Sequence, residues 1–257
     1  MKIALFSDIH ANLPALEAFF ADVDARNPDA IYCLGDLVGY NIWPNEVVDE
    51  IRKRKIPTIA GNYDFGIGRM SNECGCAYKT DAEKNNGNVS ISFTNELILP
   101  DQRAYLRTLP AHLKVEFQLN DDKLNLLLVH GSPRKINEYL FEDREEKSML
   151  RLLEKADTDI LCFGHTHKPY HRILSTTTEN TTRYRHAINT GSVGKPKDND
   201  TRGCYVLLTI PENASVLEKD SITVEFIRFT YDVEKAAQAV ENSILPNEYA
   251  ENLRRGY

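Results

Sequence analysis

Short apolar runs in this 257-residue chain end repeatedly in side chains that can hold metal ions. The first run closes on Ser7-Asp8-Ile9-His10, the second on Gly35-Asp36-Leu37-Val38-Gly39, and the third on Gly61-Asn62-Tyr63-Asp64. Leu124 to Val129 leads into His130-Gly131, and Asp159 to Phe163 into Gly164-His165-Thr166-His167. Singly, each cluster has an ordinary explanation. Gly and Asp favour turns, Asp suits a helix cap, and a lone His after an apolar run is commonly a satisfied core residue. Five clusters at five run ends point to one shared cause. Ligands of open α/β sheets bind outside the carboxyl ends of the strands. Asp8, His10, Asp36, Asn62, His130, His165 and His167 would therefore meet in one crevice. Such nitrogen and oxygen donors, without thiolate, suit Mn²⁺, Fe²⁺/Fe³⁺, Zn²⁺ or Co²⁺ rather than structural zinc. A carboxylate has two oxygens and can bridge two ions. Two cations ~3.5–4 Å apart clamp the attacking and leaving oxygens of a phosphoryl displacement and acidify a water between them.

The elements that must position these residues follow from periodicity. Lys2 to Phe6 reads as a buried strand, and Pro14 opens a helix with Leu16, Phe19, Phe20 and Val23 on one face. Ala30 to Leu34 and Ile56 to Ala60 read as strands, with a helix after Pro44 between them. This rhythm predicts βαβ units and a largely parallel sheet. Arg69 to Tyr78 reads as loop, Asp81 to Leu99 as a helix capped by Asp81, and Asp101 to Leu109 as a second short helix. Strands dominate from Leu113, interrupted by a helix from Arg144 to Leu153. They take in Tyr170 to Ser175, Tyr184 to Asn189, Cys204 to Ile210 and Ile222 to Phe229, with Glu179 to Thr182 as a hairpin tip. Asp232 to Ser243 closes with a helix. Two sheets packed face to face with helices outside accommodate this order. Residues 1–257 read as a single domain, with 66–109 as a helical cap over the site.

Composition narrows the function. With 42% hydrophobic and 27% charged residues the chain can bury a sizeable core, and no apolar run approaches the ~18 residues of a membrane span. Asp8 and His10 interrupt the apolar start after Phe6, so it does not read as a signal peptide. The net charge of −7 repels nucleic-acid backbones at long range but leaves small phosphorylated substrates open. Five cysteines without a secretion signal predict a reducing, cytoplasmic setting. Cys33 and Cys162 lie in apolar runs. Cys74 and Cys76 form a C-G-C, which falls two ligands short of a structural zinc site.

The five blocks D-x-H, G-D-x-x-G, G-N-x-D, H-G and G-H-x-H occur in order between residues 8 and 167. In this the sequence resembles the calcineurin-like metallophosphoesterases. Asn189-Thr190-Gly191-Ser192-Val193-Gly194, GDLVGY with Pro44-Asn45-Glu46, and VHGSP at 129–133 resemble the small bacterial and archaeal phosphodiesterase branch. The resemblance implies a four-layer αββα sandwich of two mixed sheets. It implies one metal on Asp8, His10 and His167, a second on Asn62, His130 and His165, and Asp36 bridging both. A hydroxide between them would attack phosphorus in line, with Asn62 helping to stabilise the phosphoryl oxygens.

One position departs from the family pattern. Tyr63 stands where the family has a His that assists the leaving group. A phenol with a pKa near ~10 is a poor proton relay at pH 7. Asp64 would normally orient that His, so as a catalytic residue it competes with its role as a turn or cap. Related members without the His favour diesters over monoesters. The expectation is therefore a phosphodiesterase or nucleotide pyrophosphohydrolase. Dinucleoside polyphosphate hydrolysis, phosphomonoester hydrolysis and a non-catalytic scaffold like the related retromer subunit are the alternatives. Asn12, in an S-D-I-H-x-N start like that of dinucleoside tetraphosphatases, either touches substrate or caps the helix at Pro14. Arg202 either binds phosphate or is a solvated surface residue. Gly191 and Ser192 either present N–H groups to the site or form a tight turn. Tyr78, Phe93 and Tyr105 either stack a base or pack in the core.

Overall fold

Alternation along the first strand sets the layering. In β1 (Lys2–Phe6), Ala4 and Phe6 face one apolar cluster while Ile3 and Leu5 face another, and all four are fully buried. A strand apolar on both faces must be covered on both, and each such side chain contributes ~1.5–3 kcal/mol of burial. The computed structural model describes residues 1–120 and 122–257. After β1 come α1 (Leu13–Arg26), β2 (Ala30–Cys33), α2 (Pro44–Lys53), α3 (Asn62–Gly68), α4 (Asp81–Leu97), α5 (Pro100–Thr108), β3 (His112–Gln118), β4 (Lys123–Val129) and α6 (Glu146–Lys155). Then follow β5 (Ile160–Phe163), β6 (Tyr170–Thr178), β7 (Thr181–Asn189), β8 (Gly203–Thr209), β9 (Thr223–Phe229), α7 (Val233–Glu241) and α8 (Asn247–Arg255).

Two mixed sheets form, ordered β2-β1-β8-β9 and β3-β4-β5-β7-β6. Ile3, Leu5, Val206 and Leu208 from the first meet Leu126, Leu128, Ile160 and Cys162 from the second in the inter-sheet core. Phe6, Tyr205 and Phe229 pack outward on Phe19, Val47 and Val240 of the helices. On the far side Leu127, Leu161 and Phe163 pack on Met149 and Leu153 of α6. Three cores between four layers give the αββα sandwich.

Several details differ from expectation. The first sheet is parallel only at β1–β2; β8 and β9 join antiparallel. Ile56 to Ala60 makes only a bridge between Thr58 and Cys33, bonding through the Pro57 carbonyl and the Ile59 N–H. Pro57 has no N–H to extend the ladder. Thr80, not Asp81, caps α4, accepting from Glu83 N–H. The apolar spacing of Tyr249, Ala250 and Leu253 after Pro246 proves to be a further helix, α8. Segment 66–109 straps α4 and α5 onto α2 and α3. Ser90 Oγ accepts from Tyr40 N–H at 2.8 Å, and Arg103 donates to the Ile67 carbonyl. No helix among the described residues is long and apolar enough to cross a membrane.

Candidate metal centre

The strand ends do converge. Asp8 and His10 follow β1, Asp36 follows β2, Asn62 opens α3, His130 follows β4, and His165 and His167 follow β5. Asp8, His10, Asp36, His165 and His167 all take left-handed backbone conformations, with φ of 55°, 50°, 56°, 66° and 59°. That region costs a non-glycine residue about 1–3 kcal/mol and concentrates at functional sites. Two glycines let the loops close. A Cβ on Gly61 would fall 2.1 Å from Asp36 Oδ1, and one on Gly164 2.4 Å from Asp8 Oδ2.

Two donor groups result, Asp8 with His10 and His167, and Asp36 with His130 and His165, all buried. His10 Nε2 lies 3.1 Å from His167 Nε2 and 3.7 Å from Asp8 Oδ1. His167 Nε2 is 3.2 Å from Asp8 Oδ1, and His130 Nε2 is 3.1 Å from Asn62 Oδ1. Asp36 Oδ2 stands 3.3 Å from His130 Nε2 and 3.6 Å from His10 Nε2, between the groups. Outer contacts orient each donor. The Nδ1 atoms of His10, His130 and His167 face the carbonyls of Val38, Leu34 and Lys195, which leaves the Nε2 lone pairs pointing inward. Asp8 Oδ2 accepts from Ser7 Oγ–H and His165 N–H, and Asp36 Oδ1 accepts from Tyr63 N–H. Asn62 Nδ2 donates to the Cys74 carbonyl at 2.9 Å, so its Oδ1 faces inward.

Asp8 Oδ1 and His165 Nε2 are buried without a hydrogen-bond partner. Buried orphan acceptors are costly, and a divalent cation satisfies them. With the carboxylates and inward Nε2 atoms, they make the donor set fit a binuclear divalent metal site. The electrostatics agree. Burial opposes ionisation of Asp8, but the facing His167 imidazole holds it far below the usual carboxylate range. Burial likewise opposes Asp36, and His130 overcomes it to hold that carboxyl low. Burial pushes His10 and His165 down to about 3, keeping both neutral. His130 differs: burial opposes its charge, but the Asp36 carboxylate outweighs that and raises it to about 9, so its Nε2 carries a proton that a bound cation would displace.

Several candidate residues have other occupations. Asp64 Oδ2 accepts from Asp36 and Gly61 N–H, and Oδ1 accepts from Leu37 N–H, so the carboxyl pins the Asp36 loop instead of facing a reacting atom. Tyr63 is fully buried behind His10, with ring centroids 5.5 Å apart. Burial raises its phenol well above the ordinary value, and its hydroxyl has no partner in hydrogen-bond geometry, so it is not placed to relay protons. Asn12 caps α1, accepting from Ala15 N–H and donating to the Gly194 carbonyl, and it is fully buried, which is the capping alternative. Arg202 is paired with Asp200. Gly191 spends its N–H on Asn189 Oδ1, as in the tight-turn alternative, and Ser192 Oγ donates to the Asp8 carbonyl, while Val193 and Gly194 N–H donate to the Ser7 and Asp8 carbonyls. Phe93 and Tyr105 pack against the helix-side core. All five cysteines are free; Cys74 orients Asn62, and Cys76 Sγ sits 3.4 Å from Asn62 Nδ2.

A cavity of about 370 Å³ adjoins the centre, bounded by Cys76, Thr166, Tyr40 and Tyr139. The Tyr40 ring meets His10 edge-on at 4.8 Å, and Tyr139 lies 4.1 Å from His165 with Phe141 stacked behind it. Tyr78 lines this cavity, as do Lys195, Lys197 and residues of α8. Sequence reasoning missed Tyr139 and the lysines. Their only signal was two lysines flanking Pro196 directly after the NTGSVG run.

Fold and site together define a metal-dependent phosphoesterase architecture. Residues 1–213 match the calcineurin-like phosphoesterase superfamily domain, and the chain belongs to that superfamily. An uncharacterized protein of Methanocaldococcus jannaschii is 30% identical over 99% of this chain and 98% of its own length. A UDP-2,3-diacylglucosamine hydrolase of Shewanella pealeana is 27% identical over 66% of this chain and 83% of its own. The crystal structure of a metallophosphoesterase from Sphaerobacter thermophilus matches with a TM-score of 0.72 and 27% identity, covering 100% of this chain and 99% of that one. A hypothetical protein from Pyrococcus horikoshii shares the fold at a TM-score of 0.75 and 20% identity, covering 100% and 98%.

Proposed function

We propose that the protein is a hydrolase of phosphodiester or phosphoanhydride bonds in a small, nucleotide-type substrate. The observation that carries this is Asp36 Oδ2, which stands within 3.6 Å of a histidine from each donor group. Asp8, His10 and His167 would hold one divalent cation, Asn62, His130 and His165 the other, and Asp36 both. Bound there, two such ions supply Lewis acidity and lower the pKa of water. The chain's own residues fix the geometry. The backbone carbonyls on the histidine Nδ1 atoms set the tautomer, Cys74 turns Asn62, and Asp64 holds Asp36 in place. In the overall reaction the oxygen of water bonds to phosphorus, the bond from phosphorus to the leaving oxygen breaks, and a proton from water ends on that oxygen.

Leaving-group preference follows from Tyr63. Its phenol is buried and held protonated, so it does not take the place of the family's acid. Diesters and anhydrides with stabilised leaving groups need less acid assistance than alkyl monoesters. The superfamily membership and the curated hydrolase relative support hydrolysis as the reaction. The aromatic walls at Tyr40, Tyr78 and Tyr139 support a base-bearing substrate. The net charge of −7 disfavours nucleic acid, and five free cysteines suit a cytoplasmic setting.

The test is hydrolysis by metal-stripped protein reloaded with Mn²⁺, comparing a chromogenic phosphodiester with the matching monoester and using Asp36→Asn as control. Faster diester turnover that vanishes in the control is expected. Faster monoester turnover would overturn the diester assignment, and equal turnover by the control would overturn the assigned centre.

A further inference from the structure

Lys195 and Lys197 are enclosed lysines without an ion pair, and burial holds both amines below their ordinary range. Lys195 is 6% exposed and Lys197 half-buried, yet neither ammonium has a carboxylate oxygen within 4.0 Å among the described residues. Arg228 and Arg144, also partly buried, are paired with Asp198 and Glu138, and the buried Arg103 meets the Ile67 and Asn95 carbonyls. Burying an ammonium without a counter-ion is costly, so such a group is retained where an anion arrives to meet it. Lys195 Nζ sits over the Tyr40 ring, 4.9 Å from its centroid, and 6.0 Å from that of Tyr249. Cation–π contact holds the ammonium in place without neutralising it.

The pair is fixed to the metal centre by its backbone. His167 Nδ1 contacts the Lys195 carbonyl, Lys197 N–H donates to the His167 carbonyl at 3.4 Å, and Lys195 N–H donates to Ser192 Oγ. Both side chains line the cavity whose Tyr40 and Tyr139 rings pack against His10 and His165. That cavity is lined by Lys79, Lys168, Lys195 and Lys197 against Glu83 and Glu248, an excess of positive charge on a chain of net charge −7. A concave basic wall in an acidic protein focuses its field on an anion. The space of about 370 Å³ also holds far more than one phosphoryl group.

We propose that Lys195 and Lys197 form a second anion subsite, so that the substrate carries a further phosphate beside the one attacked, as in a nucleoside polyphosphate. This rests on the phosphohydrolase reading for the attacked phosphate but not for the binding of the second. A nucleotide ester without a further phosphate would leave the two ammoniums bare when bound.

Two measurements separate this inference from the reading beneath it. The first is calorimetric binding of inorganic pyrophosphate and of orthophosphate to metal-stripped protein. Pyrophosphate is expected to bind at least tenfold more tightly to the parent than to Lys197→Gln or Lys195→Gln, with Lys197→Arg retaining affinity. Equal affinity of parent and both variants, or no binding by the parent, overturns the subsite. The second uses Mn²⁺-loaded protein with a diadenosine polyphosphate and a chromogenic diester that has no second charge. The ratio of kcat/KM for the first over the second is expected to fall at least tenfold in Lys197→Gln, through KM. An unchanged ratio overturns the proposal. If the parent hydrolyses neither substrate, the phosphohydrolase reading falls while pyrophosphate binding still decides the subsite. Circular dichroism of each variant confirms folding, and the parent's own pyrophosphate binding stands as a test even if both variants misfold.

Discussion

Asp36 Oδ2 lies 3.3 Å from His130 Nε2 and 3.6 Å from His10 Nε2, so one carboxylate oxygen serves both halves of the donor set. Its other oxygen is occupied by Tyr63 N–H, which fixes which oxygen can bridge. Asp36→Asn removes the shared negative charge. Metal bound per chain, read by elemental analysis after dialysis against micromolar Mn²⁺, is expected to fall from two to one or none. Diester hydrolysis should drop more than about 100-fold, since even outer-shell changes at metal sites cost 10–100-fold. Retention of two ions per chain would remove Asp36 from the bridging position.

Metal removal should also be visible in stability. His10 and His167 bring Nε2 lone pairs to 3.1 Å, and Asp8 Oδ1 is an orphan acceptor beside them. A ligand present at 100 times its Kd stabilises the folded state by about 2.7 kcal/mol. For a chain of this length that corresponds to a rise of roughly 5–11 °C in Tm. Differential scanning calorimetry with and without Mn²⁺ measures it, and an unchanged Tm would argue against a built site.

Asp64 is a positioning residue. Its carboxyl takes N–H groups from Asp36, Leu37 and Gly61 at 2.7, 2.9 and 2.9 Å. Asp64→Ala strands three buried donors and is expected to cost about 2–4 kcal/mol of stability. Mn²⁺ affinity should fall about 10–100-fold. Because Asp64 acts through Asp36, saturating Mn²⁺ should restore much of kcat. A kcat loss that no metal concentration repairs would instead assign Asp64 to the chemistry.

Tyr63 gives the opposite expectation. Its hydroxyl is buried without a partner, so Tyr63→Phe removes a desolvated polar group and leaves the ring against His10. Stability should rise by about 1 kcal/mol, and diester kcat should stay within about threefold of the parent. A hundredfold fall would show that the phenol takes part after all.

His186 sits away from the metal centre, its Nδ1 3.0 Å from His171 Nε2, and burial lowers its pKa from 6.5 to about 4. Between those values the unfolded chain holds a proton that the folded chain does not, so stability rises with pH through this window. Its contribution is complete above pH 6.5 and is lost as pH falls towards 4, by at most about 3 kcal/mol. Urea titrations of His186→Gln and the parent at pH 7 and pH 4.5 read it as a difference. The variant should lose less stability on acidification; an equal loss in both would assign the acid sensitivity elsewhere.

Much of this was legible in residue order. Short apolar runs such as Lys2 to Phe6 and Leu124 to Val129 marked strands, and their polar ends marked the donors, because chain direction alone delivers the carboxyl ends of parallel strands to one edge. The Ile56 to Ala60 run misled, because its apolar content hid what Pro57 does to a ladder. The motif at Gly61 to Asp64 was visible, but not the fate of its carboxyl, since the groups it binds at Asp36 and Leu37 lie 28 and 27 residues away.

The sequence by itself determined the donor types, the order of the strands that carry them, and the superfamily those blocks resemble. Tertiary structure decided what each donor does. Asp36 became the shared oxygen because Tyr63 N–H took its partner, and Asn62 faces inward because the Cys74 carbonyl claims its amide nitrogen. Tyr139, Lys195 and Tyr249 meet in one cavity wall although they come from a loop after β4, a loop after β7 and the last helix. No local pattern encodes such a wall, because its parts are brought together only by burial of faces far apart in the chain.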